Sequence, residues 1–355
     1  GLVRDGAMTR PEPRPPVDGP LDRSVDIRVW WSHGPGMTVD HAYPVPIQSE
    51  ETMREVWNYE EGNVSDIQHH YPNNVMSGQP ISKTYYGDWA STSTADLLDR
   101  LTLEAPDGGR VDWDTNVRDW WVWELNAMME LGLDGMYFDD PYIYPSYNDR
   151  TGGAVRGEDG TVRPSYGMLG LREYFRRTRA LVFEHSDQPW IDIHMSGQLM
   201  LPFYVFCDSF LNGEHLNMKL SKEDPDYLDV LPVAELKAQY MGYQWGLAPF
   251  LLPELPEDFR RSEPKTREIL AYFLPHDVYF WRAWSDPATL NAALKPLQTE
   301  FGIGDADNRF LPYWEAGEVI GGQSDTLVCS AHIKPDRVML VIGNWAEEEP
   351  AELDL

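Results

Sequence analysis

The sequence predicts an α/β protein with a TIM-type (β/α) barrel, followed by the start of an antiparallel β-sandwich domain. Helix and strand patterns alternate from about residue 112 to residue 298. The strand segments are apolar along their whole length, which is typical of a parallel sheet with both faces covered. Beyond residue 323, two β-rich segments follow each other without a helical pattern between them. A chain of 355 residues is long enough for a barrel with a small appendage.

Three regions are predicted along the chain. Residues 1–24 are rich in proline and are interpreted as a linker or extended segment. Residues 25–320 form the barrel, and residues 321–355 begin the C-terminal β domain. Because the chain opens with Gly1 rather than Met, we interpret it as starting inside a longer protein, so the missing targeting signal carries little weight.

The individual elements follow from local patterns. The β-rich run 25–31 is the first predicted strand, and residues 33–110 show so little periodicity that they are interpreted as a long functional loop. Within that loop, 83–86 is a candidate for a further strand. Helices are predicted at about 116–131, 166–184, 230–241, 264–273 and 287–298, and strands at 134–140, 190–194, 204–210, 246–252, 278–281, 326–332 and 337–344. An open doubly wound sheet is the alternative, but no glycine-rich phosphate turn follows the first strand.

Charge and composition exclude several classes of partner. Lys plus Arg number 29 against 58 Asp plus Glu, and the net charge of −29 disfavours nucleic acid and polyanionic sugars. The acidic excess also suits an extracellular protein, so a secreted or periplasmic location is favoured over a cytoplasmic one. Two cysteines cannot build a disulfide framework, and no apolar stretch is long enough to span a bilayer. The oligomeric state cannot be read from the sequence.

Polar residues at the predicted strand ends are the candidates for chemistry, because catalytic groups of a barrel project from the C-terminal ends of its strands. We expect them to surround one common mouth. They are Asp139, Asp140, Asp192, His194, Asp208, Asn212, Glu214, Glu254, His276 and Asp277.

Asp139, Asp140 and Glu214 are the predicted catalytic residues. Pro141 ends the strand after the two aspartates, so both carboxylates can reach the mouth, and close carboxylates hold their pKa values apart. Gly213 permits an unusual backbone angle that would aim Glu214 inward.

Sugar binding is suggested by the aromatic residues, since the chain has 14 Trp and 18 Tyr, several beside polar residues. Aromatic faces stack on sugar rings while neighbouring polar groups bind the hydroxyls, although an aromatic-rich core would give the same composition. The predicted substrate-binding residues are Trp31, Trp89, Tyr142, Asp192, His194, Asn212, Trp245, Glu254 and Trp281.

Other chemistries are disfavoured. The neighbours His69 and His70 lack the helical spacing of metal ligands, so no metal and no cofactor are predicted, with calcium on the carboxylates as the alternative. No G-x-S-x-G elbow is present, and Cys207 lies in an apolar run, which disfavours a serine or cysteine nucleophile.

The segments 132–140, 212–214 and 245–254 together resemble an uncharacterised bacterial family of glycoside-hydrolase-like barrels, distantly similar to the family 123 β-N-acetylgalactosaminidases. The resemblance covers roughly residues 25–345. It implies that Asp139 orients the acetamido group of the substrate and that Asp140, in place of that family's glutamate, is the acid/base. It also implies that the first one or two barrel strands are missing and that further β domains are typical.

We therefore expect a glycoside hydrolase that cleaves a poly- or oligosaccharide. Its carboxylates work by substrate assistance, or Asp140 and Glu214 face each other across the sugar. A non-catalytic glycan-binding protein on a hydrolase scaffold and a polysaccharide lyase or epimerase are the alternatives. Neither the sugar nor its anomer can be read from the sequence.

Overall fold

A parallel β-sheet with helices packed on one face is the centre of the structure. The computed structural model describes residues 26–30, 64–70, 74–75, 80–91, 93, 109–130, 133–139, 141–186, 189–195, 199–242, 244–281, 285–346 and 353. The main sheet has the strand order β1-β2-β5-β8-β9-β10-β11, with every neighbouring pair parallel. The predicted mixed α/β class with a parallel sheet is confirmed.

The strands of the main sheet are β1 (Asp26–Trp30), β2 (Val64–His70), β5 (Gly135–Phe138), β8 (Trp190–His194), β9 (Ser209–Asn212), β10 (Ala248–Leu251) and β11 (Tyr279–Phe280). Short pairs are formed by β3 (Asn74–Val75) with β4 (Gly109–Arg110), and by β6 (Ala154–Arg156) with β7 (Val162–Pro164). The C-terminal sheet consists of β12 (Arg309–Leu311), β13 (Leu327–Ile333) and β14 (Val338–Asn344).

The helices are α1 (Pro80–Trp89), α2 (Val117–Met129), α3 (Met168–His185), α4 (Leu201–Tyr204), α5 (Glu214–Asn217), α6 (Tyr227–Val230), α7 (Val233–Tyr240), α8 (Glu263–Phe273) and α9 (Pro287–Lys295). Short 3₁₀ turns lie at Glu257–Phe259 and Leu274–His276, and a π-helical turn at Pro296–Phe301 follows α9. Ser262 and Asp286 cap α8 and α9 by accepting backbone N–H groups, as helix N-cap residues do.

Three predicted elements were wrong. Residues 83–86 belong to α1 rather than to a strand, and the predicted loop 33–110 contains β2, a strand of the main sheet. The apolar run 204–210 divides into the end of α4 and the start of β9, because apolarity alone does not separate a buried helix from a buried strand.

The two faces of the sheet differ in what they bury. Successive strand residues point to opposite faces, and the alternate residues Met136, Phe138, Ile191, Ile193 and Phe210 share one apolar cluster with α2 and α3. The intervening residues face the other way, where polar groups meet.

That inner face curls strongly. The ring of Tyr137 on β5 lies 5.5 Å from the ring of Trp281, which directly follows β11. In a flat sheet, the four strand spacings between β5 and β11 would separate these residues by roughly 19 Å, too far for two side chains to touch. Within the described residues no ladder joins β1 to β11, so a closed barrel stays a prediction.

The C-terminal strands β12, β13 and β14 form an antiparallel sheet that packs on the part with the parallel sheet, in agreement with the predicted change of pattern. Ser330 donates to the Pro275 carbonyl at 2.6 Å, and the Trp345 indole donates to the Ala271 carbonyl at 2.9 Å. The division into domains and the β-sandwich remain predictions, because three strands make only one layer.

A tight strand contact gives a test of the fold. A Cβ at Gly135 would overlap the Trp190 carbonyl on the neighbouring strand, so Gly135→Ala should lower the free energy of unfolding by about 1–3 kcal/mol. Gly317→Ala is the control, because nothing lies within 4 Å of a Cβ there, and it should stay within about 0.5 kcal/mol of the wild type. Urea denaturation measures both. Equal stability of the two variants would contradict the described packing of β5 against β8.

Candidate active site

Three strand ends meet at one imidazole. Asp139 directly follows β5, His194 ends β8, and Glu214 follows β9 as the first residue of α5. His194 Nδ1 lies 3.1 Å from Asp139 Oδ1, and His194 Nε2 lies 2.9 Å from Glu214 Oε2. Two carboxylates from different parts of the chain are therefore held on opposite sides of one ring.

Gly213 has the backbone conformation that places Glu214 at the site. Its φ of 134° lies in a region that disfavours other residues, and a Cβ there would lie 2.5 Å from the Leu252 carbonyl. Glycine therefore lets the chain turn out of β9, against the segment after β10, and begin α5 with Glu214.

The charges at the imidazole stabilise each other. Burial alone lowers the pKa of His194, but the hydrogen bonds to Asp139 and Glu214 outweigh burial and raise that pKa to about 9. The same hydrogen bond from His194 lowers the pKa of Glu214, against a smaller opposing effect of burial. His194 is thus a cation and Glu214 an anion at neutral pH.

Glu254 adds a third carboxyl group beside this pair. It follows β10, and its pKa is raised by burial and by the negative charge of Glu214, although the Arg260 guanidinium at 2.9 Å acts in the opposite direction. Its backbone carbonyl accepts a hydrogen bond from Asn217 in α5. Glu254 and Glu214 therefore have oppositely shifted pKa values in one neighbourhood.

Tyr137 belongs to the site, although it is not among the residues predicted from the sequence. Its hydroxyl lies 2.9 Å from His194 Nδ1, and the side chain is buried, with its ring against Trp281. Strand alternation could have identified it, because Tyr137 precedes Asp139 by two residues and so shares its face.

The loop after β5 is anchored to earlier parts of the chain. The buried Asn148 side chain donates to the carbonyls of Asp88 and Ala90, at 2.8 and 3.0 Å. The partly buried Tyr142 precedes this anchor and packs edge-on against Tyr144, with ring centroids 6.5 Å apart. Tyr142 stays a predicted substrate-binding residue.

Asp192 and Asp208 are not at the mouth, contrary to the prediction. Asp192 lies within β8 and is fully buried, where Ser209 donates to it at 2.5 Å, and burial raises its pKa to about 7 despite that hydrogen bond. Asp208 precedes β9 and accepts the backbone N–H of Ile191 at 2.9 Å. Its role there is to join two strands at their starts.

His276, Asp277 and Trp245 are also corrected. All three precede a strand, β11 or β10, so they lie at the edge opposite to Asp139. His276 is buried, with Nδ1 2.8 Å from the Tyr272 carbonyl. Trp245 is 77% exposed, but on a turn at the far edge.

Two further predicted sugar contacts, Trp89 and Asn212, are directed elsewhere, whereas Trp281 is buried against Tyr137 of the site and stays a predicted contact. Trp89 is 2% exposed, with its ring stacked on Trp120, and Trp281 is 4% exposed. Asn212 is 1% exposed, and its amide donates to the side chain of Gln239 in α7 on the helix side of the sheet. Trp31 and Asp140 lie outside the described residues, so their predicted roles stay predictions.

In the part of the chain that the structure describes, no group of three or more His, Cys, Asp or Glu residues is arranged to hold a metal ion. No described helix is both long and apolar enough to cross a membrane.

No protein-family model matches the chain, and no curated protein matches it. Among solved structures, Ega3 of Aspergillus fumigatus in complex with galactosamine is 10% identical with a TM-score of 0.29, over 58% of this chain and 70% of that one. A family GH13_31 enzyme is 11% identical with a TM-score of 0.31, over 47% and 39%. Ttha1563 of Thermus thermophilus is 12% identical with a TM-score of 0.46, over 78% and 65%. Similarity at this level assigns neither a family nor an activity.

Trp89 is buried and Trp245 is exposed, so their replacement by alanine should affect stability differently. Trp89→Ala should cost about 3–5 kcal/mol of stability, because it leaves a cavity against Trp120. Trp245→Ala should change stability by less than about 0.5 kcal/mol, because its side chain is exposed. Chemical denaturation of both variants checks this, and a destabilised Trp245→Ala beside an unaffected Trp89→Ala would contradict the described burial.

The pKa of His194 predicts how stability depends on pH. Because its folded pKa is raised from 6.5 to about 9, its stabilising charge is fully present below pH 6.5 and is lost as the pH rises through about 9. Between these limits the wild type should lose on the order of 1–3 kcal/mol more than a His194→Gln variant. Denaturation at both pH values measures the difference, with His185→Gln on the exposed end of α3 as the control. A His194→Gln variant that shows the wild-type pH dependence would exclude this origin.

Proposed function

We propose that the chain is a glycoside hydrolase that cleaves a glycosidic bond of an oligo- or polysaccharide at the mouth formed by Asp139, His194 and Glu214. The observation that carries the proposal is the convergence of two carboxylates on one imidazole, at 3.1 and 2.9 Å, at the carboxyl ends of parallel strands. Paired carboxyl groups flanking the scissile bond are the usual machinery of glycoside hydrolysis.

The spacing of the pair favours inversion at the anomeric carbon. The two nitrogens of an imidazole are about 2 Å apart, with one ring carbon between them, so carboxylate oxygens that meet them at 3.1 and 2.9 Å along the N–H directions would be roughly 7–8 Å apart. Inverting enzymes keep their carboxyl groups about 6.5–9.5 Å apart to leave room for a water, whereas retaining enzymes keep them about 5–5.5 Å apart. His194 would form the floor beneath the sugar.

The charges suggest a division of roles. Glu214, with its lowered pKa, is the carboxylate that stays ionised and activates the water. Asp139 protonates the leaving oxygen, with His194 as its proton partner. Glu254 is the alternative acid, because its raised pKa lets it hold a proton more readily. Substrate assistance by Asp139 and Asp140, and with it an acetamido sugar, rests on the family resemblance alone.

A polysaccharide lyase or epimerase is the second candidate, because the contact between Tyr137 and His194 supplies the kind of base that such enzymes use. It is disfavoured by the carboxyl groups of Asp139, Glu214 and Glu254, which would repel the uronate substrate of a lyase. The convergence of two carboxyl groups at one ring also favours a catalyst over a non-catalytic glycan-binding protein.

Substitution of the two carboxylates tests the proposal. On a substrate found in a panel of chromogenic glycosides and polysaccharides, Asp139→Asn and Glu214→Gln should each lower kcat at least ~10²-fold with folding intact. NMR of the released sugar should show inversion of the anomer.

Glu263→Gln is the matched control, because that exposed carboxylate pairs along its own helix with Arg267. It should leave kcat unchanged. Near wild-type turnover in both Asp139→Asn and Glu214→Gln would exclude these two residues as the catalytic residues. A wild type that is inactive on the whole panel would count against the proposed hydrolase activity.

A further inference from the structure

Two oxygen atoms face the same nitrogen of His194. Nδ1 lies 2.9 Å from the Tyr137 hydroxyl and 3.1 Å from Asp139 Oδ1. A ring nitrogen carries at most one hydrogen. In the charged ring, Nδ1–H donates toward Asp139, whereas an uncharged Nδ1 can accept the O–H of Tyr137.

The other ring nitrogen faces a carboxylate. Nε2 lies 2.9 Å from Glu214, whose pKa is lowered, so it meets an ionised group that can only accept a hydrogen bond. Loss of the hydrogen from Nε2 would set a lone pair against that anion. Asp139 favours a hydrogen on Nδ1 in the same way, so the two carboxylates alone do not select the tautomer of the neutral ring, and the hydroxyl of Tyr137 at Nδ1 is the group that distinguishes the two nitrogens.

We propose that Tyr137 is a positioning residue that selects the Nε2–H tautomer of neutral His194, so that the proton His194 exchanges is the one on Nδ1, on the Asp139 side. The first half of this inference stands on the hydrogen-bond geometry, and only the use of that proton in catalysis rests on the proposed function. In the exchange, the Nδ1–H bond breaks and the O–H bond of the Asp139 carboxyl forms. The electron pair left on Nδ1 then accepts the Tyr137 hydroxyl.

The groups around His194 show why a hydroxyl donor such as Tyr137 is needed to stabilise its neutral form. Tyr137 is held by its buried ring against Trp281. The ionisable groups that act on His194 include four carboxyl groups, on its own strand and after β5, β9 and β10: Asp139, Asp192, Glu214 and Glu254. Each of these stabilises the charged ring, whereas a donated O–H stabilises the neutral ring.

Imidazole nitrogen NMR on histidine-labelled protein tests the inference without any substrate, with His194→Gln to identify the signal. Above the transition of His194, the wild type should show the Nε2–H tautomer. In Tyr137→Phe, the ratio of Nε2–H to Nδ1–H tautomer should fall roughly 2- to 10-fold, and the pKa of His194 should rise by roughly 0.3–1 unit, as expected for the loss of one hydrogen bond.

Tyr174→Phe is the matched control, because Tyr174 is a buried tyrosine that packs on Phe138, on the opposite face of β5. It should leave the tautomer and the pKa unchanged. A tautomer ratio and pKa in Tyr137→Phe equal to those of the control would overturn the inference. An Nδ1–H tautomer in the neutral wild type would also overturn it, even if the variant does not fold. Inactivity on glycosides would instead count against the proposed function and leave the tautomer result standing.

Discussion

The curl of the parallel sheet is the constraint on which the site depends. It brings Tyr137, from the third strand of the sheet, against Trp281, which follows the seventh, where a flat sheet would keep them roughly 19 Å apart. Asp139, His194 and Glu214 lie at the ends of three consecutive strands of this sheet and share hydrogen bonds. Because the contacts are made by strand ends rather than by long mobile loops, the carboxylates are held in place by the sheet itself.

Beneath the mouth, β8 and β9 place buried polar groups on the inner face of the sheet. Asp192 is fully buried, with Ser209 donating to it, and the Trp190 indole donates to that serine hydroxyl at 2.8 Å. A buried carboxyl group is expensive unless it is protonated or paired, and the raised pKa of Asp192 reflects this cost. These hydrogen bonds replace apolar packing at this point, and they link β8 to β9 in one alignment beneath His194.

Much of the fold could be predicted, because long periodic segments and apolar strands carry a local signal. The strand at 190–194 matches its predicted bounds, and Asp139, His194 and Glu214 were found because they follow apolar runs. His276 and Asp277 were assigned to the wrong edge, because polar residues flank both ends of a strand and the sequence does not say which end opens the mouth. The strand β2 was missed because five of its seven residues are polar. The bridging by His194 depends on the order of β5, β8 and β9 in the sheet, which no local pattern encodes.

The central claim is that Asp139 and Glu214 act on one sugar held above His194. A crystal structure of the chain soaked with the saccharide that it binds best on a glycan array tests this most directly. The account predicts a sugar ring over the His194 imidazole, with the anomeric carbon between the two carboxylates. A saccharide bound at the opposite edge, beside the exposed Trp245, with the His194 mouth left without sugar, would contradict it.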